Sequence, residues 1–90
     1  MTRAMALEIA PDVRVNCVCP GYTDTEMIRN SIEKAEDPSA KEQMMIDYAP
    51  LKRIAMPEEI SHAVLYLASS EASFITGTAL AIDGGTTAGH

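Results

Sequence analysis

Val13 to Cys19 carries only Arg14 and Asn16 as polar residues and is broken at once by Pro20-Gly21. Such a run suits a strand covered on both faces of a parallel sheet. The only other strand pattern, Thr78 to Asp83, begins about sixty residues further on and ends at Gly84-Gly85. Parallel partners need a long crossover, and their sheet needs helices on both faces. The fold class expected is therefore α/β, part of a doubly wound parallel sheet with two strands, one long covering helix and further helical pieces. Two strands do not complete that sheet. Their open edges and apolar faces must be hidden by association, aggregation or disorder, so the chain reads as a portion of one domain, 1–90, without an internal boundary.

The helices are set by spacing and by stop signals. Ala4, Met5, Ala6, Leu7 and Glu8 favour helix from Thr2 to Ile9, with Pro11 closing it. Met27, Ile28 and Ile32 mark a first amphipathic piece after Glu26. A second, starting at Ser39 with Glu42 as a capping box, places Met44, Met45 and Tyr48 on its less polar side. Asp37-Pro38 is the expected turn between them. The best-specified helix has Pro57 in its first position, Glu58 and Glu59 in its first turn, and Ile60, Ala63, Val64, Leu67 and Ala68 at helical spacing. Ser69 to Gly77 is expected to be a loop with one helical turn at Ser70-Glu71, and Thr86 to His90 has no packing signal.

Composition removes several function classes. Seven Lys and Arg against 13 Asp and Glu leave a formal charge of −6, the wrong sign for nucleic acid. No apolar run approaches the ~20 residues of a membrane span, so a soluble, cytoplasmic protein is expected. Cys17 and Cys19 alternate along a strand and share a face, which suits buried structural thiols rather than a disulfide. Without companion ligands they make no metal site, since the histidines are His62 in a helical pattern and His90 at the terminus. Asn16 is expected to tie adjacent backbone together, because a buried amide must be hydrogen-bonded.

Ligands of open α/β sheets sit beyond the carboxyl ends of the strands. Pro20 and Gly21 let the chain turn there, and the hydroxyls of Thr23 and Thr25 follow. Thr25 or Asp24 also suits the cap of the helix through Met27 and Ile28, a role compatible with ligand contact. Asp83 is expected to brace the Gly84-Gly85 turn, and Arg53 to pair with Glu58, with Glu59 or with a carboxylate elsewhere, a choice the sequence leaves open.

Val13-Arg14-Val15-Asn16-Cys17-Val18-Cys19-Pro20-Gly21-Tyr22-Thr23-Asp24-Thr25, with Pro50-Leu51-Lys52-Arg53, Pro57-Glu58-Glu59-Ile60, Leu67-Ala68-Ser69 and Asp83-Gly84-Gly85, resembles the C-terminal part of a short-chain dehydrogenase/reductase. The resemblance implies part of a Rossmann-like fold, a nicotinamide cofactor, NAD or NADP, and interconversion of an alcohol and a ketone. It implies a cofactor site at Pro20, Gly21, Thr23 and Thr25, with Thr23 meeting the nicotinamide carboxamide through its main chain and Thr25 lying near the phosphates. Met27, Ile28, Met44 and Met45 would belong to a lid over a small carbonyl or alcohol substrate. Residues 57–69 and 78–83 would form a homo-oligomer interface.

The family's glycine-rich turn, catalytic serine and Tyr-x-x-x-Lys pair have no match in this chain. Tyr48 does precede Lys52 at that spacing, yet Pro50 interrupts the helix that would align them. No residue is therefore assigned to catalysis, and the 90 residues alone are expected to be inactive. Two other readings remain: a non-catalytic interaction module, and a truncated gene product in which Met1 is an internal methionine of a longer helix.

Overall fold

A computed structural model describes residues 1–89. Helix α1 (Thr2–Ile9) stops before Pro11 as its composition requires, and buries Ala6. Strand β1 (Cys17–Pro20) lies parallel to β2 (Ala79–Ile82), with Cys17 opposite Ala79 and Pro20 opposite Ile82. Helices α2 (Glu26–Glu33), α3 (Pro38–Tyr48) and α4 (Pro57–Ala68) fill the crossover, followed by a 3₁₀ turn over Ser70–Ala72.

The first strand is shorter than expected. Residues 13–16 form no ladder, because side chains take over much of the bonding. Val15 N–H donates to Thr76 Oγ1 at 3.0 Å, and Gly77 N–H donates to the Val15 carbonyl at 2.7 Å. Asn16 donates from Nδ2 to the Ile75 carbonyl and accepts the Thr78 N–H on Oδ1, each at 2.9 Å. That is the backbone tie expected of the buried amide. Arg14 extends the seam, donating to the carbonyls of Leu67, Ile75 and Ser69. Those at the end of α4 lack helical partners and carry partial negative charge, which a guanidinium satisfies.

Coverage also differs from expectation. α4 packs against one face of β1, while Cys19 and Pro20 are exposed. Cys17 is half-buried and both cysteines are free thiols, so the expected pair of buried thiols is corrected. The physical reason is thin coverage: among the described residues α4 is the one helix in substantial contact with a strand of this pair. A folded monomer of this mass exposes about 5,100 Å², and this chain exposes 6515 Å². Its radius of gyration is 16.0 Å, where about 12 Å is usual for this length. Phe74, Leu7 and Leu65 stand in solvent. The architecture is α/β and incomplete as a domain.

The helix starts show which local signals decide. Thr25 caps α2, its Oγ1 accepting the Ile28 N–H at 3.3 Å. α3 begins one residue earlier than its sequence pattern, at Pro38, because the Asp37 carboxylate accepts the Ala40 N–H at 3.1 Å. The expected Ser39–Glu42 capping box therefore does not form, and Glu42 pairs with Arg29 instead. At α4, Pro57 is the first residue and Glu59 reaches back to the Met56 N–H at 2.9 Å. Thr86–Gly89, where the sequence carries no packing signal, forms a 3₁₀ turn. His90 lies outside the described residues.

Candidate functional site

Both strands run parallel, so their carboxyl ends open onto the same side of the fold. Gly21 continues the ladder by donating its N–H to the Ile82 carbonyl at 3.0 Å. A Cβ at Gly21 would lie 3.0 Å from both Cα and Cβ of Asp83. The close approach that glycine permits is thus to the neighbouring strand end.

Beyond it the loop is held by backbone. Ala55 N–H donates to the Tyr22 carbonyl at 3.0 Å, and Asp24 N–H donates to the Ala55 carbonyl at 2.7 Å. This bridge engages Thr23 with Ala55 through its neighbours only. Parallel pairing of that kind turns the bridged residue's own N–H to the opposite side. The Thr23 N–H has no partner among the described residues. Its hydroxyl donates to the Gly21 carbonyl at 3.1 Å. Thr25 Oγ1 accepts at the helix cap and keeps its own hydrogen available as a donor.

The electrostatics at this loop centre on Arg29. Its Nε meets Asp24 Oδ1 at 2.7 Å, and its Nη1 pairs with Glu42. The guanidinium hydrogen bond holds the Asp24 carboxyl below the usual carboxylate range. It also joins α2 to α3, helped by Lys41 Nζ donating to Ser31 Oγ at 2.7 Å. A free backbone N–H at Thr23, a donor hydroxyl at Thr25 and a helix N-terminus suit the amide and phosphate groups of a dinucleotide.

A groove of about 480 Å³ lies beside this loop, lined by Tyr22, Met45, Tyr48, Leu51 and the turn Asp83 to Gly85. Gly84, at φ 62°, accepts the Leu51 N–H on its carbonyl at 3.0 Å and brings the end of α3 against β2. Tyr22 and Tyr48 meet edge to face with ring centres 5.8 Å apart. Asp83 braces the turn as expected, accepting from Gly85 N–H at 3.1 Å and from Thr87 N–H and Oγ1 at 3.2 and 2.8 Å. The Thr87 hydroxyl bond, with those N–H groups, lowers its carboxyl's pKa. Arg53 takes Glu59 in a two-pronged pair at 2.6 and 2.7 Å. That pair, with the Met56 N–H, brings the Glu59 carboxyl down to about 2.

A family model described as enoyl-(acyl carrier protein) reductase matches residues 1–87. The short-chain dehydrogenase fogB of Aspergillus ruber is 41% identical over 88 residues, which cover 97% of this chain and 31% of that protein. Oxidoreductase UcpA of Escherichia coli K12 is 40% identical over 91 residues, 97% of this chain and 34% of that protein. A short-chain dehydrogenase family structure from Francisella tularensis superposes with a TM-score of 0.90 at 40% identity, covering 97% of this chain and 38% of its own. The chain belongs to the short-chain dehydrogenase/reductase family.

A C-terminal deletion mutant of Thermoplasma acidophilum aldohexose dehydrogenase matches this family segment equally well, with a TM-score of 0.90, 40% identity and coverage of 97% and 40%. The segment spans about a third of the length of the curated relatives it matches. Its two strands and four helices are thus part of a Rossmann-like α/β oxidoreductase fold.

Within this segment the loop gathers Pro20, Gly21, Thr23 and Thr25 at one strand end. The residues expected to form a lid are divided. Met45 is buried and lines the groove, whereas Met44 and Met27 are exposed and Ile28 is half-buried outside it. α3 ends at Tyr48, and Lys52 turns its Nζ to the Asp47 carbonyl at 2.9 Å. Sequence reasoning missed the Tyr22–Tyr48 pair and the Arg29 bridge, because both join residues from different elements. Among the described residues no group of three or more His, Cys, Asp or Glu is placed to hold a metal ion. No helix there is long and apolar enough to cross a membrane.

Proposed function

We propose that this segment supplies the nicotinamide-side loop, the helical lid and the last strand of an NAD(P)-dependent oxidoreductase that interconverts an alcohol and a ketone. The observation that carries the reading is the Thr23 N–H, without a partner among the described residues, at the carboxyl end of a parallel strand and next to the Thr25 hydroxyl. Residues 1–90 form part of one cofactor domain. Pro20 and Gly21 shape the turn, Thr23 offers main-chain contact to the carboxamide, and Thr25 lies toward the phosphates. Bound nicotinamide supplies the hydride; the proton donor that carbonyl chemistry needs comes from outside these residues. Met27, Ile28, Met44 and Met45 ride on the α2–α3 lid that Arg29 holds together. The protein works in the cytoplasm.

Adding NADH or NADPH to the isotopically labelled chain is expected to move the Thr23 and Thr25 amide resonances, with no turnover. Unmoved resonances refute the cofactor reading. Turnover above that of a Thr25→Ala control refutes the absence of catalytic residues.

A second reading is favoured by Val64, Leu65 and Tyr66, which stand exposed on α4 beside a two-stranded sheet with open edges. On that reading, residues 57–69 and 78–83 join copies of the chain as a non-catalytic module. Sedimentation showing a dimer or tetramer unaffected by nucleotide supports it, and a monomer at all concentrations discards it.

A further inference from the structure

Asp24 stands between the two residues that offer donors at the strand end. The Thr23 N–H has no partner among the described residues, and the Thr25 hydroxyl accepts at the α2 cap while its own hydrogen stays free. A carboxylate at that place opposes any anionic group that meets those donors, because like charges a few ångströms apart repel. Glu26, in the first turn of α2, adds to the repulsion and forms no ion pair among the described residues. What offsets them is Arg29, on the same turn.

Arg29 divides its charge. Its Nε donates to Asp24 Oδ1 at 2.7 Å, and its Nη1 donates to Glu42 on α3. Arg53, by contrast, gives both prongs to Glu59. Two carboxylates against one guanidinium leave one negative charge uncompensated beside the loop. The main chain of Asp24 is fixed separately, its N–H donating to the Ala55 carbonyl at 2.7 Å. With Arg29 on the carboxylate, Asp24 is held at both main chain and side chain, which limits how far the neighbouring Thr23 N–H can swing.

We infer that Arg29 is a positioning residue for an anionic ligand at Thr23 and Thr25: it holds Asp24 in place and cancels its charge, and Glu42 limits how far it does so. The ligand in that statement rests on the cofactor reading, and the hold on Asp24 does not. Arg29 is 44% exposed and Glu42 35%, so salt reaches the trio and must weaken its effect.

Two measurements test the inference, the first without nucleotide. The side-chain carboxyl carbon of Asp24 is followed through an acid titration of the labelled chain. Glu42→Gln frees the guanidinium from one carboxylate, so Asp24 should titrate lower than in wild type. Arg29→Met should bring it up toward the range of a free carboxyl. Arg29→Lys, a point charge without the fork that serves two carboxylates, should fall between wild type and Arg29→Met.

The second is the dissociation constant of NADH, read from the Thr23 and Thr25 amides at low salt. Glu42→Gln should tighten binding about threefold and Arg29→Met should weaken it about threefold. Both differences should fade at about 0.5 M NaCl. A purely mechanical brace gives the opposite sign for Glu42→Gln, because losing the link from α2 to α3 then loosens the loop. Weaker NADH binding in Glu42→Gln, differences that persist in salt, or an Asp24 titration identical in wild type and Arg29→Met overturns the inference. If NADH moves neither amide in wild type, the cofactor reading falls, and the Asp24 titration alone decides for or against the hold by Arg29.

Discussion

Replacing Asn16 tests the seam that joins the start of β1 to the segment before β2. Asn16→Ala removes two hydrogen bonds of 2.9 Å, to the Ile75 carbonyl and from the Thr78 N–H. The Ile75 carbonyl keeps a partner in Arg14 Nη1 at 3.1 Å. Thr78 N–H does not, so one half-buried donor is orphaned. Two net bonds and one partly desolvated donor cost about 2 kcal/mol together, or roughly thirtyfold in the opening equilibrium. Asn16→Asp separates the two ends of the amide. The introduced carboxyl still accepts from Thr78 but, ionised, presents a negative charge to the Ile75 carbonyl. Protonated, it donates to that carbonyl as the amide does. Its folded-state pKa is thus raised, so its relative stability is greatest in acid and falls as pH rises through that value. Amide hydrogen exchange at Thr78 is the assay. Protection should drop about thirtyfold in Asn16→Ala and less in Asn16→Asp, whose deficit should narrow on acidification. Equal protection in wild type and Asn16→Ala, or an Asn16→Asp deficit that does not change with pH, refutes the reasoning.

Three other outcomes follow from the same geometry. Gly21→Ala forces a methyl to 3.0 Å from Asp83 Cα and Cβ, so the ladder must open at a cost of about 1–3 kcal/mol; unchanged exchange at the Gly21 amide would contradict this. Thr25→Ala removes the cap on α2 and should cost about 1 kcal/mol, read as faster exchange at Ile28, whereas Thr25→Ser should retain it. Glu59 titrates at about 2 when folded against 4.5 for the free group. A lowered folded pKa stabilises above the unfolded value, so its contribution fades as pH falls from 4.5 toward about 2. The acid loss should be smaller in Arg53→Met, and an unchanged acid profile would show that the pair does not matter.

The excess surface has a direct physical meaning. Large apolar side chains are in water here, among them Leu65 and Phe74. Burying such residues is worth roughly 1.5–3 kcal/mol each. The free energy that would hold this segment in place is therefore gained against surfaces outside it, which accords with a match to about a third of its relatives' length.

Features governed by near neighbours were legible in the residues: Pro57 opening α4, Pro11 ending α1, Thr25 capping α2 and Asp83 bracing its turn. Each depends on backbone groups within a few positions, so composition and spacing suffice. The loop Pro20 to Thr25 was legible for the same reason, as a strand end followed by Pro-Gly. The α3 cap was not, because Asp37 and Ser39 both offer oxygens and only the path of the chain chooses between them.

What only the tertiary structure decided depends on residues distant in sequence. β1 gives up half its expected length because Thr76, Asn16 and Arg14 bond across about sixty positions. Gly21 proves to face Asp83, Glu42 serves Arg29, and Tyr22 meets Tyr48 over the groove. Periodicity carries which face of an element is apolar. It does not carry what lies opposite that face, because that partner is chosen by the packing of the whole chain.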